Sequence, residues 1–207
     1  MELIVISSPN ICKNEIQAIN NLFENGLSIL HLRKKIDLES MRNLIRKIDS
    51  QYYNRIVLHS CFELIDEFNL KGVHNKDISK IIKKEKFINQ VNIRRTYSCS
   101  CHSFEECKTL LPFFDYMFIS PIFDSISKVG YKSNFSQDKL LEIKNTGLLN
   151  NNIYALGGID KNNISILKKY GFKGCAVLGT LWNEFENNSD IDFVLKKFIE
   201  IKHLCSD

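Results

Sequence analysis

Eight short runs rich in β-branched and aromatic residues recur along the chain with helix-patterned stretches between them, and this rhythm limits the fold more than any other feature. The runs are LIVIS (3–7), ILHLR (29–33), RIVLHS (55–60), GVH (72–74), RTYSCS (95–100), YMFIS (116–120), IYALG (153–157) and CAVLG (175–179). Neighbouring parallel strands need a long crossover between them, and a helix supplies it, so alternation of this kind predicts a parallel sheet. Eight such units within 207 residues predict an α/β protein, a (β/α)8 TIM barrel forming a single domain over residues 1–207, with a doubly wound open sheet as the alternative.

The stretches between the runs carry apolar residues at spacings of three and four: Ile16, Ile19, Leu22 and Phe23, then Met41, Leu44, Ile45 and Ile48, and finally Ile191, Val194, Leu195 and Phe198. Helix starts are signalled by Asp37 and Asp160, and by the capping-box pairs Ser60–Glu63 and Ser103–Glu106. Residues 75–92 carry the weakest helical pattern.

Composition narrows the function classes. No window approaches 18 consecutive apolar residues, so no membrane-spanning helix is expected. The start MELIVISSPN lacks the basic lead and long apolar region of a secretory signal, which predicts a cytoplasmic protein. Seven cysteines without CxxC spacing argue against a disulfide framework and against a structural zinc site. A net charge of +4, spread over amphipathic segments, does not imply a nucleic-acid partner. Small anionic substrates stay open, as does a homo-oligomer.

A barrel places its chemistry where strands end and the following loops begin. Four of the five histidines, His31, His59, His74 and His102, fall at or just past such ends. Alternation along the second strand puts Ile29, His31 and Arg33 on the face that points into the barrel mouth. The histidines come from separate strands without HxH or HxxxH spacing, so no metal site is expected from them. Arg33, Lys34 and Lys35 read either as a solvated loop or as a cationic wall. The loop after the sixth strand, SPIFDSISKVGY (120–131), adds Ser125, Ser127 and Lys128 at the same rim.

Paired glycines at a strand end let amide groups approach an anion, helped by a helix N-terminus; the competing reading is a tight turn. Such pairing occurs at Gly157 and Gly158, and Gly179 and Thr180 follow the eighth strand, where barrels of this type habitually hold phosphate. In TYSCSCHS (96–103), Ser98, Ser100 and His102 share one face and Cys99 and Cys101 the other. A histidine placed like His102 suits proton transfer near neutral pH, or is a structural imidazole.

Taken together, HLRKK, HS, GVHNKD, SCH, SPIFDSISK, GGI and VLGTL resemble, in order, the signatures QLRxK, ND, GxHLGQxD, SxH, GPIFxTxTK, GGI and VxSAI of the thiamine-phosphate synthase and TenI thiazole tautomerase family. The resemblance runs from LIVIS to about Trp182 and implies a (β/α)8 barrel active in thiamine biosynthesis on small phosphorylated thiazole and pyrimidine substrates. It assigns Arg33, Lys35, Ser125, Ser127 and Lys128 to pyrophosphate or the substrate pocket, Ser100 to the pocket, and Gly157, Gly158, Gly179 and Thr180 to the thiazole phosphate. His31 and His59 stand where the family has a pyrimidine-contacting Gln and an Asn. Ser60 replaces a magnesium-binding Asp, and the other metal carboxylate falls in a shortened loop where Asp77 is its nearest counterpart. The synthase branch implies magnesium; the tautomerase branch needs no metal and makes His102 the general acid or base. The loss of a carboxylate favours the tautomerase, with the synthase and a noncatalytic binder as alternatives.

Overall fold

The computed structural model describes residues 1–75, 95–124, 133, 135–150 and 152–206. Its eight strands are β1 (Glu2–Ile6), β2 (Ile29–Leu32), β3 (Ile56–Leu58), β4 (Gly72–Asn75), β5 (Thr96–Cys101), β6 (Tyr116–Ile119), β7 (Ile153–Leu156) and β8 (Gly174–Val177). They pair in sequence order, all parallel, and β8 pairs with β1 to close the barrel. The closed form therefore replaces the open-sheet alternative. The helices are α1 (Glu15–Glu24), α2 (Leu38–Ile45), α3 (Leu64–Glu67), α4 (Phe104–Leu110), α5 (Gln137–Asn145), α6 (Ile164–Tyr170), α7 (Gly179–Asn188) and α8 (Ile191–Ser206).

Period-2 alternation sorts the strand side chains between two apolar layers. Val5, Leu30, Leu32, Ile56, Leu58, Cys99, Met117, Ile119 and Cys175 point outward and pack under the helices. Ile4, Ile6, Tyr116, Phe118, Tyr154 and Ala176 fill the barrel itself. The inward series continues on β2, β4 and β5 with His31, His74 and Ser98, each almost wholly buried. The mouth-side layer of the interior is thus polar where the deeper layers are apolar.

The helix-start signals divide. Asp37 caps α2 by accepting from the Ser40 amide at 2.9 Å. Ser103 caps α4, accepting from Glu106 N at 3.1 Å, while the Glu106 carboxylate reaches back to the amide of His102 at 2.7 Å. The other two expectations fail. Asp160 lies ahead of a turn, bonded from Asn162 N at 2.8 Å, and α6 starts four residues later. Ser60 caps nothing: Cys61 turns at a φ of 55° and α3 starts only at Leu64, so Glu63 stands at the helix N-cap and not in its first turn. Residues 75–92, read as a weak helix, lie almost wholly outside the described residues, as does Asp77.

Candidate active site at the C-terminal rim

The loops that leave β7 and β8 are tied together. Gly157 and Gly158 adopt φ of 95° and 65°, in the left-handed region that favours glycine. The loop after β6 runs directly over them: Phe123 N donates to Gly157 O at 3.2 Å, and a Cβ on Gly158 would lie 2.1 Å from the carbonyl oxygen of Asp124. The Gly158 carbonyl in turn accepts from Asn163 Nδ2 at 2.8 Å. The Thr180 hydroxyl donates to Ile159 O, which fastens the start of α7 to the loop after β7. α7 begins at Gly179 without a side-chain cap. Among the described residues no acceptor meets the amides of Gly157, Gly158, Gly179 or Thr180. Four amides without acceptors among the described residues thus stand at two adjoining turns, one of them a helix N-terminus, and groups of this kind are able to hold an anion.

On the other side of β1 lies the HLRKK segment. Ser7 at the end of the β1 run fixes it, accepting from Arg33 N at 2.9 Å. The three cations separate. Lys34 is buried in an ion pair with Glu15 and donates to Asn10 O at 2.6 Å. Arg33 is half-buried and Lys35 exposed, and neither has a side-chain partner among the described residues. One lysine is therefore structural, while the other two cations are unpaired among the described residues. Ser125, Ser127 and Lys128 lie outside the described residues.

His31 does not stand at the rim, as alternation alone suggests, but is completely buried inside the barrel. Its Nε2 lies 2.7 Å from Tyr116 Oη and its Nδ1 lies 3.0 Å from His59 Nε2. Burial, followed by the neighbouring His74, holds its pKa well below the usual imidazole range, so it is neutral. Burial likewise pushes the Tyr116 hydroxyl up, and it keeps its proton. His74 is bracketed by β5, with Nδ1 3.0 Å from Ser98 Oγ and Nε2 3.0 Å from Ser100 Oγ. The rings of His59 and His74 stack at 4.3 Å and 27°. Phe118 closes the floor, 4.8 Å from the His31 ring and 5.1 Å from that of His74. The hydroxyl of Ser60, the residue after His59, is shielded from solvent with no hydrogen-bond partner among the described residues.

His102 follows β5 and is exposed, with Nδ1 3.0 Å from the carbonyl oxygen of Ser120. A carbonyl only accepts, so Nδ1 carries the proton and Nε2 presents a lone pair. Sequence reasoning passed over Tyr116, Glu15 and Ser7. The inward phase of Tyr116 on β6 was legible from period 2, whereas the Glu15–Lys34 pair, 19 residues apart, had no sequence signal.

The fold is a closed (β/α)8 barrel, an architecture whose enzymes build their active sites at the C-terminal ends of the strands. Comparison with known proteins is more specific. A family model described as thiamine monophosphate synthase matches residues 3–181. The chain belongs to the thiamine monophosphate synthase family. A thiamine phosphate pyrophosphorylase structure from Bacteroides thetaiotaomicron superposes with a TM-score of 0.83 at 35% identity, covering 100% of this chain and 98% of that one. Thiamine-phosphate synthase of Prochlorococcus marinus (strain AS9601) is 25% identical over 193 residues, 88% of this chain and 49% of its own length. The enzyme of that name from Methanococcus maripaludis is 23% identical over 208 residues, 97% of each chain. The chain thus spans about half the length of the Prochlorococcus relatives it matches.

Proposed function

We propose that this chain is a thiamine-biosynthesis enzyme that binds a thiazole phosphate at the amides of Gly157, Gly158, Gly179 and Thr180 and isomerises the carboxylated thiazole phosphate to its aromatic tautomer. The observation that carries this reading is the environment of Ser60. Magnesium takes hard oxygen donors and is held by carboxylates. At the position of the family's magnesium-binding Asp stands a serine hydroxyl that is shielded from solvent and has no hydrogen-bond partner among the described residues. This residue does not fit magnesium. Tautomerisation moves a proton and separates no leaving group from the substrate, so it asks only for a base that can return what it takes.

His102 meets that requirement. Its Nδ1–H is committed to Ser120 O, which leaves Nε2 to take a proton from the thiazole carbon and give it back at the other end of the conjugated system. The amides of loops seven and eight anchor the phosphate by backbone dipoles. Arg33, half-buried, and Lys35, exposed, add positive charge at the rim, where the substrate's carboxylate and phosphate are both anionic.

The second reading is the synthase reaction, in which hydroxymethylpyrimidine pyrophosphate and thiazole phosphate join with release of pyrophosphate. The name of the 35%-identical Bacteroides structure favours it. One experiment separates the two. Purified protein is mixed with the carboxylated thiazole phosphate and followed by NMR, in parallel with an assay for pyrophosphate released from the pyrimidine substrate in magnesium. Tautomer conversion without pyrophosphate release is the expected result; EDTA-sensitive pyrophosphate release establishes the synthase, and ligand binding without either turnover establishes a noncatalytic binder.

A further inference from the structure

The barrel interior brings together three imidazoles that the proposed tautomerisation does not use. We infer that His31, His59 and His74 form a binding site for a borderline transition-metal ion of the Zn2+ or Co2+ class. One ring nitrogen from each lies within 4.8 Å of the others. Two nitrogens bound to one tetrahedral zinc, each at about 2.0–2.1 Å, sit about 3.3 Å apart. His31 Nδ1 and His59 Nε2, at 3.0 Å, already stand close to that spacing. The widest gap among the three nitrogens, 4.8 Å or less, closes by roughly 1.5 Å at most.

The far sides of the two buried rings are already held in the way metal-bound histidines are held. His31 turns Nε2 to Tyr116 Oη at 2.7 Å, and His74 turns Nδ1 to Ser98 Oγ at 3.0 Å. In the metal-free protein a proton lies between His31 Nδ1 and His59 Nε2, and the metal takes its place. His31 then carries its proton on Nε2, where the Tyr116 oxygen accepts it; a phenol serves either tautomer because it both donates and accepts. The Ser100 hydroxyl, 3.0 Å from His74 Nε2, can turn away from it by rotation about one bond. Three neutral nitrogen donors select zinc, cobalt, nickel or copper over magnesium and calcium. His59 is the member nearest solvent, so the fourth position opens toward the barrel mouth, where water or a substrate group completes the shell.

The site does not depend on which reaction the rim performs, and its test needs no substrate. Metal-stripped protein is titrated with cobalt(II) chloride and followed by visible absorption, with zinc(II) chloride as competitor. The expected result is one Co2+ per chain, ligand-field bands of four-coordinate intensity, no thiolate charge-transfer band, and displacement by Zn2+. His59→Ala, at the solvent edge and therefore compatible with folding, weakens binding by more than about 100-fold, and Tyr116→Phe weakens it by about 10–100-fold. His203→Ala, on the exposed side of α8, leaves it unchanged. No binding at millimolar Co2+, binding that survives His59→Ala, or a charge-transfer band reporting Cys99, Cys101 or Cys107 as ligand each overturns the site.

Discussion

At position 158 a methyl group would sit 2.1 Å from the backbone oxygen of Asp124, on a backbone whose φ of +65° already disfavours any side chain. Gly158→Ala therefore forces the loop after β6 away from the loop after β7. A cost of about 1–3 kcal/mol is expected, together with at least a tenfold weaker Kd for thiazole phosphate by calorimetry; unchanged affinity would remove the amide cradle. His102 makes the opposite demand. His102→Ala deletes a proton carrier and leaves the cradle intact, so turnover falls by about 100- to 10,000-fold while affinity for the phosphate ligand stays close to that of the parent. Full activity in that variant would exclude the histidine from proton transfer. Both residues were readable in the sequence, one as a glycine pair at a strand end and the other as a histidine before a capped helix. The reason Gly158 must be glycine was not, because Asp124 approaches it through space from a neighbouring loop.

At the scale of elements, the Lys34–Glu15 pair joins the loop after β2 to the first turn of α1, with side chains 0% and 2% exposed. Burial raises the Glu15 pKa more than Lys34, which opposes it, lowers it. A carboxyl with a raised folded pKa favours the fold most when protonated, and that contribution is lost as pH rises through its folded pKa. Lys34→Met removes the opposing cation and leaves a buried carboxylate, costing about 3–5 kcal/mol at neutral pH. The deficit should shrink toward pH 5, about two units lower, as Glu15 takes up its proton; urea melts of parent and variant at both pH values check it. A deficit that grows on acidification would contradict the account. The double variant Glu15→Leu/Lys34→Met should recover most of the loss. Elements also show where capping signals carry and where they fail. Asp37 and Ser103 cap helices of eight and seven residues, whereas Ser60 precedes one of four. Ser60 and Ser103 open the same S-x-x-E pattern, but after Ser60 the chain turns at Cys61, whose φ is 55°, and the helix begins only at Leu64.

At the scale of the whole molecule, α8 lies beyond the residues matched by the family, which end at 181, yet it packs against α1, α6, α7 and β1. It also meets the start of the chain, where the Met1 ammonium donates to Cys205 O at 2.8 Å. α8 thereby covers the seam at which β8 pairs with β1. Phe198 is its fully buried anchor, 1% exposed, and Phe198→Ala should cost about 3–5 kcal/mol, read as a lower urea midpoint with unchanged slope. An unaffected midpoint would mean that α8 is peripheral to barrel closure.

The eight-fold rhythm and the two-residue alternation of the strands were determined by the sequence itself, because both follow from backbone geometry that acts within a few residues. They specified a parallel α/β fold with a barrel as its leading form, and they specified that Tyr116, Phe118 and Ser98 share one face of their strands while Cys99 and Met117 share the other, the inward and outward faces of the closed barrel. The meeting of His31, His59 and His74 was decided only by tertiary structure. Their separations of 28 and 15 residues match no local period, and they converge because strand register sets His31 level with Val57 and Val57 level with Gly72, so that His59 and His74, each two residues further on, share the next inward level toward the mouth. Register is a property of neighbouring strands, so no spacing within one segment could have announced it.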